Sequence, residues 1–143
     1  MAVAKDEADA IRSVNERFYR AVEKLDMEAM AAVWAKTDYV KCIHPGWGLL
    51  VGWDAVRASW EIIIRNTGEI KFTLTEVHVE FRGPLAWVTL TENILSQVEG
   101  RVAATSVLAT NVFEKAASGW LLIHHHASHI FMPPARQASD TVH

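Results

Sequence analysis

The chain has 143 residues, half of them hydrophobic and 22% charged, enough for one domain with a proper core (expected span 1–143). A formal charge of −3 and a pI near 6.1 remove the electrostatic case for nucleic acid or an anionic membrane. No apolar run approaches the roughly 20 residues of a spanning helix, and Cys42, the one cysteine, can form no internal disulfide. With an acidic, polar start in place of a signal sequence, a reducing, cytoplasmic setting is expected.

Residues 6 to 25 are predicted to be a helix: Ile11, Val14, Phe18, Val22 and Leu25 recur at three- and four-residue steps. Asp26 can cap a second helix that buries Met27, Met30, Val33 and Trp34. Tyr39 to His44 reads as a short strand ended by Pro45-Gly46, and Trp47 to Val51 as a loop or half-strand. Gly52 opens a third helix with Asp54 at its positive end, a stripe of Val56, Trp60, Ile63 and Ile64, and a stop at Gly68.

From Ile70 the period changes. Strands are expected over about 70–82, 85–98, 102–115 and 119–131, separated by Gly83-Pro84, Glu99-Gly100 and Ser118-Gly119. Beyond Met132-Pro133-Pro134, residues 132–143 are small and polar and are expected to be exposed. Three helices before a four-strand meander give an α+β class: a curved antiparallel sheet with the helices packed on its concave face.

The last strand carries His124, His125, His126 and His129. Plain alternation puts Trp120, Leu122, His124, His126 and Ser128 on one side, and Leu121, Ile123, His125, Ala127 and His129 on the other. If Phe113 lies opposite Trp120, the first side also carries Asn111 and forms a pocket wall of imidazole and hydroxyl on an apolar ground. The second side, with Leu108 and Val112, is apolar enough to pack against a second copy, so a homodimer is expected. Glu92 falls with Val88, Leu90 and Ile94 on that dimer face, where a lone carboxylate needs a partner such as His125 across the interface. Should Glu92 sit there unpaired, the assigned facing is wrong.

His124 and His126, about 6.5 to 7 Å apart along a strand, could offer two nitrogens to a metal, with His44 as a third ligand. A hydrogen-bonded pair in a partly wet cavity is the simpler reading, and neither metal nor cofactor is expected. Trp47, in a glycine-flanked loop, suits a pocket rim; Trp60, at helical spacing, suits core or an aromatic wall. Cys42 reads as a small buried hydrophobe. Phosphate loops, dinucleotide fingerprints and serine triads have no counterpart here.

Trp34, the run Cys42-Ile43-His44-Pro45-Gly46, Gly52 and the motif Trp120…His124-His125-His126-Ala127-Ser128 together resemble the SnoaL-like branch of the nuclear-transport-factor-2-like superfamily. The similarity spans roughly residues 8 to 131 and is nearest to the set containing the association domain of calmodulin-dependent kinase II. It implies a cone-shaped α+β barrel, a deep pocket between sheet and helices, and dimers through the sheet. The superfamily holds ketosteroid isomerases, dehydratases, polyketide cyclases and non-catalytic association domains, so fold alone does not select an activity. The isomerases' base falls on His44 and their neutral acid on Asn111; their oxyanion tyrosine falls near Phe18 or Tyr19. The association domain's pocket arginines fall on Thr89 and Asn111.

The resemblance therefore implies His44 as a general base, with Asn111 and Tyr19 as donors to a developing enolate. It adds Thr89 to the pocket lining expected from the strand alternation and the tryptophans, which is then Trp47, Trp60, Thr89, His124, His126 and Ser128. The bland alternative for His44 is a strand-end residue bonded to backbone. The expected function is binding of a hydrophobic or aromatic small molecule. An alternative is a cofactor-free isomerase, cyclase or dehydratase acting on a polyketide- or steroid-like carbonyl compound. A third class is a pure association module.

Overall fold

The N-terminal periodicity becomes a helix of 22 residues, α1 (Ala2–Glu23), in the computed structural model, which describes residues 2–131. The tail expected to be exposed lies outside the described residues. Ile11, Val14, Phe18, Tyr19 and Val22 form the buried stripe of α1. Leu25, at φ 53°, turns the chain, and the Asp26 side chain then accepts a hydrogen bond from the Ala29 amide at 3.1 Å to cap α2 (Met27–Val33). β1 (Lys41–Ile43) and β2 (Leu50–Val51) pair antiparallel before α3 (Trp53–Asn66). α3 starts at Gly52, whose φ of 91° lies where a side chain is strained.

Four long strands follow: β3 (Glu69–Arg82), β4 (Leu85–Val98), β5 (Arg101–Ala116) and β6 (Gly119–His129). They pair as an antiparallel meander. The six strands run in the order β2-β1-β6-β5-β4-β3, giving a curved, unclosed sheet. One pairing is parallel: β1 lies beside β6 with Cys42 opposite His125. The helices cover the concave face, and among the described residues no helix is long and apolar enough to cross a membrane.

Two bulges shape the sheet. In β3 the register shifts between Thr75 and His78, with Glu76 at φ 54°, so the inward residues change from Ile70, Phe72 and Leu74 to Val77, Val79 and Phe81. In β6, Val112 pairs with His124 but Phe113 with Leu122, leaving Ile123 as the extra residue. An extra residue bends the strand and reverses the alternation beyond it. Trp120 and Leu122 point inward as expected; after Ile123 it is His125 and Ala127 that are buried, while His126 and Ser128 are exposed and His124 is half-covered.

That corrects the expected facing of the last strand, and the expected register with it: Asn111 lies opposite His125, and Phe113 opposite Leu122. It corrects β4 as well. Val88, Leu90 and Glu92 are buried on the helix-covered face, and Thr89 is on the outer one. The physical reason is burial, since the even-numbered side of β4 is the more apolar and goes where the helices are.

The interior is aromatic at its centre. The Phe18 ring meets Tyr19, Trp60 and His125 edge-on at centroid distances of 4.9, 5.5 and 4.9 Å. Such contacts add about 0.5 to 1.5 kcal/mol each to the area buried.

Candidate functional site

Between α1, α3 and the concave face lies a hollow of about 520 Å³. Phe18, Tyr19 and Val22 come from α1 because i, i+1 and i+4 lie on its inward stripe; Trp60 and Ile63 come from the matching stripe of α3. The sheet supplies Ile70 and Phe72 from β3, Glu92 and Ile94 from β4, and His125 and His129 from β6. His44 and Pro45 enter from the segment after β1, and Trp47, 40% exposed, stands at the rim. The walls are mostly hydrocarbon and aromatic ring.

The polar groups form one chain. His125 Nδ1 lies 2.6 Å from Asn111 Oδ1. The Asn111 amide donates to Asn15 Oδ1 at 2.9 Å and to the Tyr19 hydroxyl at 3.1 Å. The Tyr19 hydroxyl donates to Glu92 Oε2 at 2.6 Å. Because the Asn111 amide nitrogen is committed as donor, its oxygen must accept, and His125 carries its proton on Nδ1. The chain thus runs one way, from imidazole to carboxylate, each bond polarising the next.

Burial sets the protonation states. It pushes Glu92 up to about 7, against the smaller opposing pull of the Tyr19 hydrogen bond. It pushes His125 down to about 3, helped by the neighbouring histidines, and His44 down to about 4. Tyr19 is held well above its ordinary value by burial and by the adjoining Glu92. At neutral pH both buried imidazoles are therefore uncharged.

His44 Nε2 lies 2.9 Å from Ser59 Oγ, which itself donates to the Val56 carbonyl at 2.7 Å. Ser59 therefore accepts from His44, and Nδ1 carries the lone pair. The His44 ring stands edge-on to Trp47 and Trp60 at 4.9 and 4.7 Å, a packed position in which its hydrogen bond goes to a serine of α3. Cys42, beside it at 3.5 Å, is a buried thiol whose pKa burial raises, consistent with a small hydrophobe.

The structure brings together His44, Tyr19, Trp47 and Trp60 around the hollow. Asn111 is fully buried behind the wall, its amide protons and oxygen already committed to Asn15, Tyr19 and His125. His124, His126, Ser128 and Thr89 lie on the other face of the sheet. The His124 and His126 rings are 6.4 Å apart there, separated by the sheet from His44, so the three do not converge. Among the described residues no group of three or more His, Cys, Asp or Glu is arranged to hold a metal ion.

Glu92, His125 and His129 line the hollow and were not expected to. The signal for Glu92 was present: a single carboxylate in the apolar register of β4 needs an unusual setting. His125 was hidden by the bulge at Ile123, which no glycine or proline marks.

The model of the SnoaL-like domain family matches residues 11–133. An F-box protein of Arabidopsis thaliana, SKIP8, is 34% identical over 119 residues, covering 83% of this chain; the chain spans about half (49%) of that relative's length. Among solved structures, a candidate dehydratase of the NTF2-like family from Streptomyces avermitilis superposes with a TM-score of 0.86 at 38% identity, covering 90% of this chain and 99% of that one. A protein from Thiobacillus denitrificans, described as a candidate calcium/calmodulin-dependent protein kinase type II association domain, superposes at 0.76 with 31% identity, covering 84% and 94%. With the helices, the curved sheet and the final-strand motif in place, the chain belongs to the SnoaL-like domain family.

Proposed function

We propose that the hollow between α1, α3 and the sheet binds a hydrophobic or aromatic small molecule. The observation behind this reading is a space of about 520 Å³ with apolar walls and a polar end at Tyr19 and Glu92. Specific small-molecule sites combine those two features in cavities of about 300 to 1,000 Å³. The test is saturable quenching of tryptophan fluorescence by a neutral apolar probe, 2-(1-naphthyl)ethanol, with Trp47 and Trp60 as reporters. Ile63→Trp, which fills the hollow, is expected to weaken binding about tenfold or more. An unchanged affinity in that variant would sink the assignment.

A second reading is supported by the Tyr19–Glu92 contact, an acid–base pair in a water-poor setting, and by the candidate dehydratase among the similar structures. Here a polyketide- or steroid-like carbonyl compound is isomerised, cyclised or dehydrated without a cofactor. His44 or Glu92 moves the proton and Tyr19 donates to the substrate oxygen. Loss of turnover in His44→Ala or in Glu92→Gln, with the fold intact by circular dichroism, would then identify the base, and turnover surviving in both would exclude this reading.

The likeness to an association domain, together with Leu108 (52% exposed) on the outer sheet face, supports pairing of two copies through that face. In this pairing His124, His126, Ser128 and Thr89 are interface groups.

A further inference from the structure

Glu92 is 4% exposed and faces the hollow with one carboxylate oxygen held by Tyr19. No second hydrogen bond to it occurs among the described residues, and the lining contains no lysine or arginine. A buried carboxylate stays ionised only where a counter-charge or further hydrogen bonds compensate it. His44 and His125 cannot compensate, since both are neutral at pH 7. His129 is exposed, at the mouth, and stands two strand spacings, about 10 Å, from Glu92 across Val107. The cavity thus presents an acceptor of positive charge and supplies none. Around it stand the rings of Phe18, Tyr19, Trp47, Trp60 and Phe72.

We propose that the natural ligand is a lipophilic amine, its ammonium group set against the Glu92 carboxylate and its apolar body among these rings. The proposal rests on the small-molecule reading above and names the ligand's class. An ammonium satisfies what the interior leaves open. It brings the missing charge, donates to the unoccupied carboxylate oxygen, and is attracted to the faces of aromatic rings. A carboxylate or phosphate ligand would meet like charge with no cation to offset it.

Proton bookkeeping gives an independent handle. Burial holds Glu92 near 7, so a large share is protonated in the empty protein at neutral pH. Tyr19 from α1, His44 from the segment after β1, and His125 and His129 from β6 are the titratable groups sharing the hollow; β3 and β5 present Phe72, Leu74 and Val107 beside Glu92. An arriving ammonium draws Glu92 to its ionised form and releases a proton, which a neutral ligand does not.

The test compares 2-(1-naphthyl)ethylamine with 2-(1-naphthyl)ethanol and 1-naphthylacetate by calorimetry on the full chain. The amine is expected to bind about tenfold or more tighter than the alcohol, and the acetate more weakly than both. Glu92→Gln should erase the amine's advantage, so that amine and alcohol then bind alike. Titrations of the parent protein near pH 6.5, in buffers of different ionisation enthalpy, should show proton release with the amine alone; this arm does not depend on the variant folding. Equal binding of amine and alcohol, or an advantage that survives in Glu92→Gln, overturns the amine assignment and leaves the small-molecule reading standing. If none of the three binds, both fall.

Discussion

Glu92 shows how much one side chain can carry. Its carboxyl is charged reluctantly in the fold, at about 7, and readily in the unfolded chain, at about 4.5. The folded state therefore holds the proton more tightly, and the stability associated with this group falls as pH rises from about 4.5 through 7. His44 and His125 act with opposite sign: their folded values of about 4 and 3 lie below 6.5, so stability falls as pH drops below 6.5. Glu92→Gln should accordingly be more stable than the parent at pH 8, by on the order of 1 to 3 kcal/mol, with the gap closing toward pH 5. Urea denaturation at the two pH values reads this directly, and a gap independent of pH would contradict a reluctant interior carboxylate. Asn111 is the opposite case, a fully committed polar group. Asn111→Ala strands the His125 Nδ1 proton and the Tyr19 oxygen and should destabilise by about 2 to 4 kcal/mol. An effect under about 0.5 kcal/mol, the level of a surface change, would mean the chain of hydrogen bonds is not formed. At this scale Trp60 was legible from its helical spacing and Trp47 from its glycine-flanked loop, whereas Tyr19 entered only through the family resemblance. For Glu92 the sequence marked an unusual carboxylate but not the face it takes, which followed from where the helices lie.

At the level of elements, helix and strand positions could be read within a few residues because period, caps and turns agree. Asp26 caps α2 as its type implies, and the four long strands are separated at Gly83-Pro84, Glu99-Gly100 and Ser118-Gly119. What escaped was phase. The run Leu121-Leu122-Ile123 is equally apolar in either register, so nothing local says that Ile123 is the residue left out of the ladder. The consequence is that His124 and His126 are separated from the hollow by the sheet itself. The double change His124→Ala, His126→Ala should therefore leave 2-(1-naphthyl)ethanol affinity within about twofold, whereas a change at Ile63 should not. A loss of tenfold or more on removing the two imidazoles would restore the unbroken alternation and undo the site.

For the molecule as a whole, the three helices need only the concave face, and the outer face remains part apolar, with Leu108 at 52% exposure beside half-covered Val112, Leu121 and Ile123. If that face joins two copies, Leu108→Asp should yield monomers of about 16 kDa by light scattering while the parent gives twice that. A parent mass near 16 kDa at low micromolar concentration would exclude the pairing. The overall class and a curved sheet could be read from the order of elements; the two bulges that shape it could not, because neither carries a sequence mark.

β6 is late in the chain but third in the sheet, and the β1–β2 pair and the β3–β5 meander meet only through it. During synthesis the ribosome must therefore release the segment around His125 before Cys42 can find its neighbour, some eighty residues back. Until then the early strands have unsatisfied edges and the aromatic interior has no lid, a window in which a nascent chain is open to aggregation and to chaperones.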